Sequence, residues 1–216
     1  MMNWYKNAQL AEQDVRQHLL DRGFDADHYQ YDYDVETGTI RIRLYSTDGK
    51  FIGYHEYRPH TTNKGGDDKR SHTKRYHTDV PDKNKAQTAF WGVENIDPNK
   101  SYLFITEGIF DAAPINQLGE PAISVLGANI SGSKMQQLRF LGKKLIAILD
   151  NDKAGTSVQL RSKGDAITHG DLKPVIEMLG GEVHIAPDPY KDFGEMYQKD
   201  PQIARDFITS IINAGG

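Results

Sequence analysis

The residues best placed to do chemistry are acidic, and they stand directly after apolar runs. Leu145 to Leu149 is continuously apolar and runs into Asp150-Asn151-Asp152. Tyr102 to Thr106 runs into Glu107-Gly108, and Asp111 follows four residues after the glutamate. A third group, Asp188, Asp192 and Glu195, comes after the strand-like stretch 182–186. Two aspartates at i and i+2 on an extended segment point to the same side. Two carboxylates ~4 Å apart repel by roughly 4 kcal/mol at an effective dielectric of about 20. One of them keeps its proton, or a cation neutralises both. An all-oxygen donor set suits a hard divalent ion, so Mg²⁺ is expected, with Mn²⁺ as the alternative. The chain has no cysteine, which excludes disulfides, thiol catalysis and Cys-based zinc sites.

One aspartate at a strand end reads most simply as the cap of the following helix. Acids at three strand ends, one of them a close pair, are better explained by a shared site. That explanation requires an open α/β sheet, in which active residues collect at the C-terminal ends of the strands. The pattern from Lys100 onward supplies one. SYLFIT, AISVLG, KLIAILD and EVHIAP read as strands. FDAAPINQLG reads as a helix with Pro114 in its first turn, and SKMQQLRFLG and DLKPVIEMLGG read as two more. A further helix is expected from about Ala154. This alternation predicts a mainly parallel sheet with helices on both faces.

The first part of the chain has a different pattern. Residues 7–22 predict an amphipathic helix stopped at Gly23, with Leu10, Val15, Leu19 and Leu20 roughly on one face. YQYDYDV, TIRIRLYS and FIGYHEY then alternate as strands, and Asp48-Gly49 marks a hairpin. Residues 59–75 have almost no apolar content and read as a long exposed loop. The expected organisation is a smaller α+β unit over 1–97 followed by an α/β domain over 98–216.

The net charge of −4 hides an uneven distribution: 1–57 carries −4, 58–100 carries +3 and 101–216 carries −3. A nucleic-acid binder needs local positive charge, not an overall excess. Arg58, Lys64, Lys69, Arg70, Lys74 and Arg75 are therefore candidate phosphate contacts, and Lys134, at a helix start, is another. Tyr54, Tyr57, Tyr76 and Trp91 are candidate stacking platforms for single-stranded bases, with core packing as the simpler alternative. No apolar run reaches membrane-spanning length, and the polar N-terminus does not read as a secretory signal. A cytoplasmic protein is expected, with a phage or plasmid source suggested by its compactness.

The segment Glu107-Gly108-Ile109-Phe110-Asp111, followed by Asp150-Asn151-Asp152-Lys153-Ala154-Gly155, resembles the Toprim signature of primases, topoisomerases and some nucleases. The likeness is greatest to the RNA polymerase core of bacterial and phage primases of the DnaG type. Val125 to Asn129 resembles the primase segment after the second strand, and Lys191-Asp192-Phe193-Gly194-Glu195 resembles a phage primase Lys-Asp-x-x-Glu pattern. Upstream, Gly49 to Tyr54 with Arg58, then Lys74-Arg75-Tyr76 and Phe90-Trp91-Gly92, resemble landmarks of the primase N-terminal subdomain. The resemblance covers roughly residues 38–197.

The resemblance implies template-directed nucleotidyl transfer from NTPs on single-stranded DNA, using Mg²⁺. It implies Asp150, Asp152 and Asp192 as the main metal ligands and Glu107 as a ligand or general base. Asp111 would orient the glutamate loop or bind the ion through water. Such primases also use a zinc domain and a helicase. With no cysteine here, the expected partners are a replicative helicase or a separate zinc-domain protein. A Toprim nuclease and a non-catalytic Toprim module are the competing readings.

Overall fold

The computed structural model describes residues 2–46, 48–59, 61, 74–151, 160–163 and 166–214. For 2–11, 160–163 and 166–169 only the backbone path is described. Asp152, Gly155, Lys64, Lys69, Arg70 and most of the predicted 59–75 loop lie outside the described residues.

Helix α1 (Met2–Asp21) opens the chain. Gly23 ends it in the left-handed region at φ 72°, and the Phe24 N–H bonds back to Leu19 at 3.0 Å. That conformation is free for glycine and strained for any other residue. Strands β1 (Tyr31–Asp34), β2 (Thr39–Tyr45), β3 (Phe51–Tyr57) and β4 (Tyr76–Asp79) follow, forming an antiparallel sheet in chain order. The first three strands agree with the alternation in the sequence. Ile40, Ile42 and Leu44 of β2 are fully buried.

The second sheet is parallel. It comprises β5 (Tyr102–Thr106), β6 (Ala122–Ser124), β8 (Lys144–Leu149) and β11 (Glu182–Ile185), in the order β11-β8-β5-β6. Alternate side chains of its central strands enter different cores, as the two-residue period of a strand requires. Phe104, Ile146 and Ile148 join a core shared with Leu19, Phe24, Ile42, Tyr57 and Trp91 of the first part of the chain. Leu103, Ile105, Leu145, Ala147 and Leu149 enter the opposite core. Being covered on both faces explains why these strands read as unbroken apolar runs.

Helices α3 (Ile109–Gln117), α6 (Phe193–Lys199) and α7 (Pro201–Ala214) contribute to the first core. Helices α4 (Gly132–Phe140) and α5 (Leu172–Met178) contribute to the second. A short helix α2 (Lys83–Ala86), capped by Asp82, leads to Phe90-Trp91. Trp91 exchanges two backbone hydrogen bonds of 3.0 Å with Ser124 of β6, and Phe90 bridges Tyr45. No helix among the described residues is long and apolar enough to cross a membrane.

Two expectations need correction. The helix expected from about Ala154 begins outside the described residues, and it does not extend through Leu160–Lys163 or Ala166–Asp171, which are strands β9 and β10 in an antiparallel sheet with β7 (Asn129–Ser131). The partner strand of β10 lies about forty residues upstream, which local periodicity does not register. Pro114 is the sixth residue of α3, not part of its first turn. It removes the amide that would have bonded the Phe110 carbonyl. The Gly194 backbone approaches that carbonyl so closely that a Cβ there would lie 2.4 Å from it.

Gly23 packs against the same proline. A Cβ at Gly23 would meet Pro114 Cγ at 2.7 Å and Tyr197 Cδ1 at 3.1 Å. Gly23→Ala combines left-handed strain with this clash and is expected to destabilise the fold by about 2 kcal/mol or more. Urea unfolding of the two proteins, read as a shift in midpoint at constant slope, checks this.

Candidate metal centre

Each acid of the site is held by the end of a regular element. Asp111 lies in the first turn of α3, after the β5 strand and the Glu107-Gly108 turn. A Cβ at Gly108 would lie 2.8 Å from Asp111 Oδ2, so a larger residue there would push the carboxylate aside. Asp150 follows the last residue of β8. Asp192 is the N-cap of α6, and its Oδ1 accepts the Glu195 N–H at 2.7 Å.

These three carboxylates converge. Asp111, Asp150 and Asp192 each present an oxygen within 4.8 Å of the others. They face a cavity of about 250 Å³ that is also lined by Glu107, Gly127, Lys191, Arg22, His55 and Tyr76. A larger, more open depression of about 560 Å³, lined by Tyr29, Asn95 and Asn116, includes none of the three.

Among the described residues that line the cavity, the acids Glu107, Asp111, Asp150 and Asp192 outnumber the cations Arg22 and Lys191. Burial, then the fields of Asp192 and Asp150, push the Asp111 carboxyl up to about 8, and the Gly194 N–H and Arg22 only partly oppose this. The Gly194 N–H donates to Asp111 Oδ1 at 2.9 Å. Lys191 places its ammonium 2.9 Å from Asp192 and 3.3 Å from Asp150. Burial works against that charge, but Asp192 and Asp150 outweigh it and hold the ammonium pKa above its ordinary value. A cluster of oxygen donors with one carboxyl forced toward its neutral form fits a hard divalent cation.

The Glu107 backbone is locked in place. Its carbonyl accepts from Ser124 Oγ at 3.0 Å and from the Gly127 N–H at 2.9 Å. The loop supplying these donors is strained, with Leu126 at φ 63°. Lys134 lies behind that loop. It is buried, its ammonium donates to the Val125 carbonyl, and burial pushes its pKa down to about 8. The sequence makes it a candidate phosphate contact at a helix start, and the structure places its side chain in the interior.

The remaining predicted contacts are scattered around the β3–β4 region. Arg58 pairs with the buried Glu56 at 2.5 Å and donates to the Lys74 carbonyl at 3.0 Å. Arg75 donates to the Pro59 carbonyl at 3.2 Å, and Lys74 is half-buried. Trp91 and Tyr57 are fully buried and belong to the core, whereas Tyr76 is 41% exposed and stacks on Tyr57 with ring centres 5.2 Å apart.

Sequence reasoning missed Arg22. Its guanidinium lies 3.9 Å over the Phe110 ring and donates to the hydroxyls of Tyr57 at 3.1 Å and Tyr76 at 3.2 Å. In the sequence it is only the last cation before Gly23, and only the packing of α1 against α3 brings it into the cavity. Lys191 was visible as part of its motif, but its contact with two of the acids was not.

Residues 104–181 match the family described as Toprim-like. Over 119 residues the chain is 32% identical to the DNA primase of Thermotoga maritima, which covers 55% of this chain and 20% of that protein. The zinc-binding and RNA polymerase domains of the Aquifex aeolicus primase superpose on 93% of this chain and 55% of theirs, with TM-score 0.64 and 17% identity. A DnaG catalytic core superposes on 88% of this chain and 71% of its own, with TM-score 0.56 and 19% identity. The chain thus spans about a fifth of the curated relative and about half of the first of these structures. Its later part is a Toprim-like α/β domain, and its fold, including the N-terminal antiparallel sheet, is that of primase catalytic cores.

The raised Asp111 carboxyl carries a stability consequence. In the unfolded chain it ionises near its ordinary 3.8, and in the metal-free fold near about 8. Between these values the folded state binds more protons, so metal-free stability falls as pH rises from about 4 to about 8. Asp111→Asn keeps an acceptor for Gly194 and removes the charge. It is expected to stabilise the metal-free protein at pH 8 by about 1 kcal/mol or more. Thermal melts in chelator at pH 5 and pH 8 check both statements.

Proposed function

We propose that this chain is the catalytic core of a primase that makes short RNA primers on single-stranded DNA from NTPs, using Mg²⁺. The supporting observation is that the acids of the Toprim-like domain and residues of the antiparallel sheet line one cavity. Asp111, Asp150 and Asp192 line it together with Arg22, which follows α1, and with His55 and Tyr76 of the antiparallel sheet. A nuclease working from the same acids needs no such N-terminal wall.

In this reading residues 1–97 handle template and nucleotide, and residues 98–216 carry the chemistry. Asp111, Asp150 and Asp192 hold Mg²⁺ or Mn²⁺, joined by Asp152. A bound ion of this kind supplies Lewis-acid stabilisation of the charge on the attacking and leaving oxygens. Glu107, on its fixed backbone, orients the attacking 3′-hydroxyl or accepts its proton. Arg22 offers a planar guanidinium to the phosphates, already oriented by Tyr57 and Tyr76. His55 stays neutral, since burial, Lys134 and His77 bring it down to about 4, so it adds no charge to this wall. Arg58, Lys74 and Arg75, with Lys69 and Arg70, supply backbone contacts that give affinity and salt dependence, not sequence choice. A replicative helicase or a zinc domain completes template selection.

Incubation with single-stranded DNA, labelled NTPs and Mg²⁺, with and without such a partner, is expected to yield short RNA products. Shortened DNA would point to the nuclease instead, and binding without either product to a non-catalytic module. Asp150→Ala is expected to abolish product formation, a loss on the order of a hundredfold or more, with an unchanged far-ultraviolet circular dichroism spectrum. An Asp150→Ala protein of full activity overturns the assignment.

A further inference from the structure

Lys191 enters the acidic cluster from the same turn that supplies Asp192. Its ammonium touches two of the three carboxylates, Asp192 Oδ2 at 2.9 Å and Asp150 Oδ2 at 3.3 Å. Asp111 is held by the Gly194 N–H. The backbone of Lys191 is pinned on both sides. Its N–H donates to the Glu195 carboxylate at 2.7 Å, and its carbonyl accepts the Asn151 N–H at 2.6 Å. The side chain is 53% exposed, so the ammonium has open solvent to move into while the backbone stays still.

A metal ion bound by Asp150 and Asp192 would take up the negative charge that now holds the ammonium. Two cations on the same oxygens repel. A lysine is suited to yield in such a contest, being a compact charge on a flexible four-carbon stem.

Resting on the reading of the triad as a divalent-cation site, we propose that Lys191 is its resident counter-cation. It holds Asp150 and Asp192 together before the ion arrives, competes with the ion and is displaced by it. The lysine thereby sets a ceiling on the affinity of the empty site and keeps its acids assembled while it is empty.

The test uses the full chain and Mn²⁺ alone, with no nucleotide, read by electron paramagnetic resonance of the free ion. Lys191→Met and Lys191→Gln are each expected to bind Mn²⁺ about tenfold more tightly than the parent, because the competing charge is gone. Lys191→Arg, which keeps the charge, is expected to bind like the parent. In chelator the two neutral variants should melt at lower temperature than the parent, and Mn²⁺ should raise their melting temperature by more. Equal or weaker Mn²⁺ binding by a folded neutral variant overturns the proposal. A parent protein that binds no Mn²⁺, or an Asp150→Asn variant that binds it undiminished, defeats the triad reading instead.

Discussion

Three carboxylates held within 4.8 Å of one another set the electrostatic constraint on which the site depends. At that separation each ionised pair repels by about 3 kcal/mol at an effective dielectric of about 20. Flexible loops would part under such a load. Here each acid is fastened to backbone that other interactions fix: Asp111 to the start of α3, Asp150 to the end of β8, Asp192 to the cap of α6. The Gly194 N–H ties α6 to Asp111, and the bond from Asn151 to Lys191 ties the β8 end to the turn before α6. The fold thus holds these acids together, and their repulsion is relieved by a proton on Asp111 or by a cation.

The close approach of α3 and α6 has its own local cause. Pro114 leaves the Phe110 carbonyl without a helical donor, and a glycine at 194 lets the next helix come up to it. The same proline receives Gly23 from the end of α1. One interrupted turn of helix therefore sets the distance between two of the acids and seats the helix that delivers Arg22. The end of α1 is in this way part of the site's geometry, through its packing on α3.

Much of this could be read from the sequence because the parallel sheet is buried on both faces. Continuous apolar runs ending in Glu107 and Asp150 marked both the strands and the chemistry. The Toprim resemblance drawn from Glu107-Gly108-x-x-Asp111 and Asp150-x-Asp152 is borne out by the family match and the fold. What escaped depends on distant partners. Strand β7 has three residues, too few for any period to show, and β9 and β10 become strands only by pairing with it and with each other. Arg22 looks like an ordinary helix-end cation until α1 is packed against Phe110. Lys134 carries a helix-start signature that suits an anion, and its side chain is buried with the ammonium on the Val125 carbonyl.

The pairing of Trp91 with Ser124 bears on how copies of this chain meet. Strand β6 is the last of the parallel sheet, and a bare last strand is a template for a neighbouring molecule's backbone. Trp91 takes up hydrogen-bonding positions on that margin, with its ring fully buried. Among the described residues this leaves β11 as the sheet's open border, guarded by the Lys144–Glu182 ion pair at 2.7 Å. Unwanted edge-to-edge stacking is thus blocked by a tryptophan on one flank and discouraged by charge on the other.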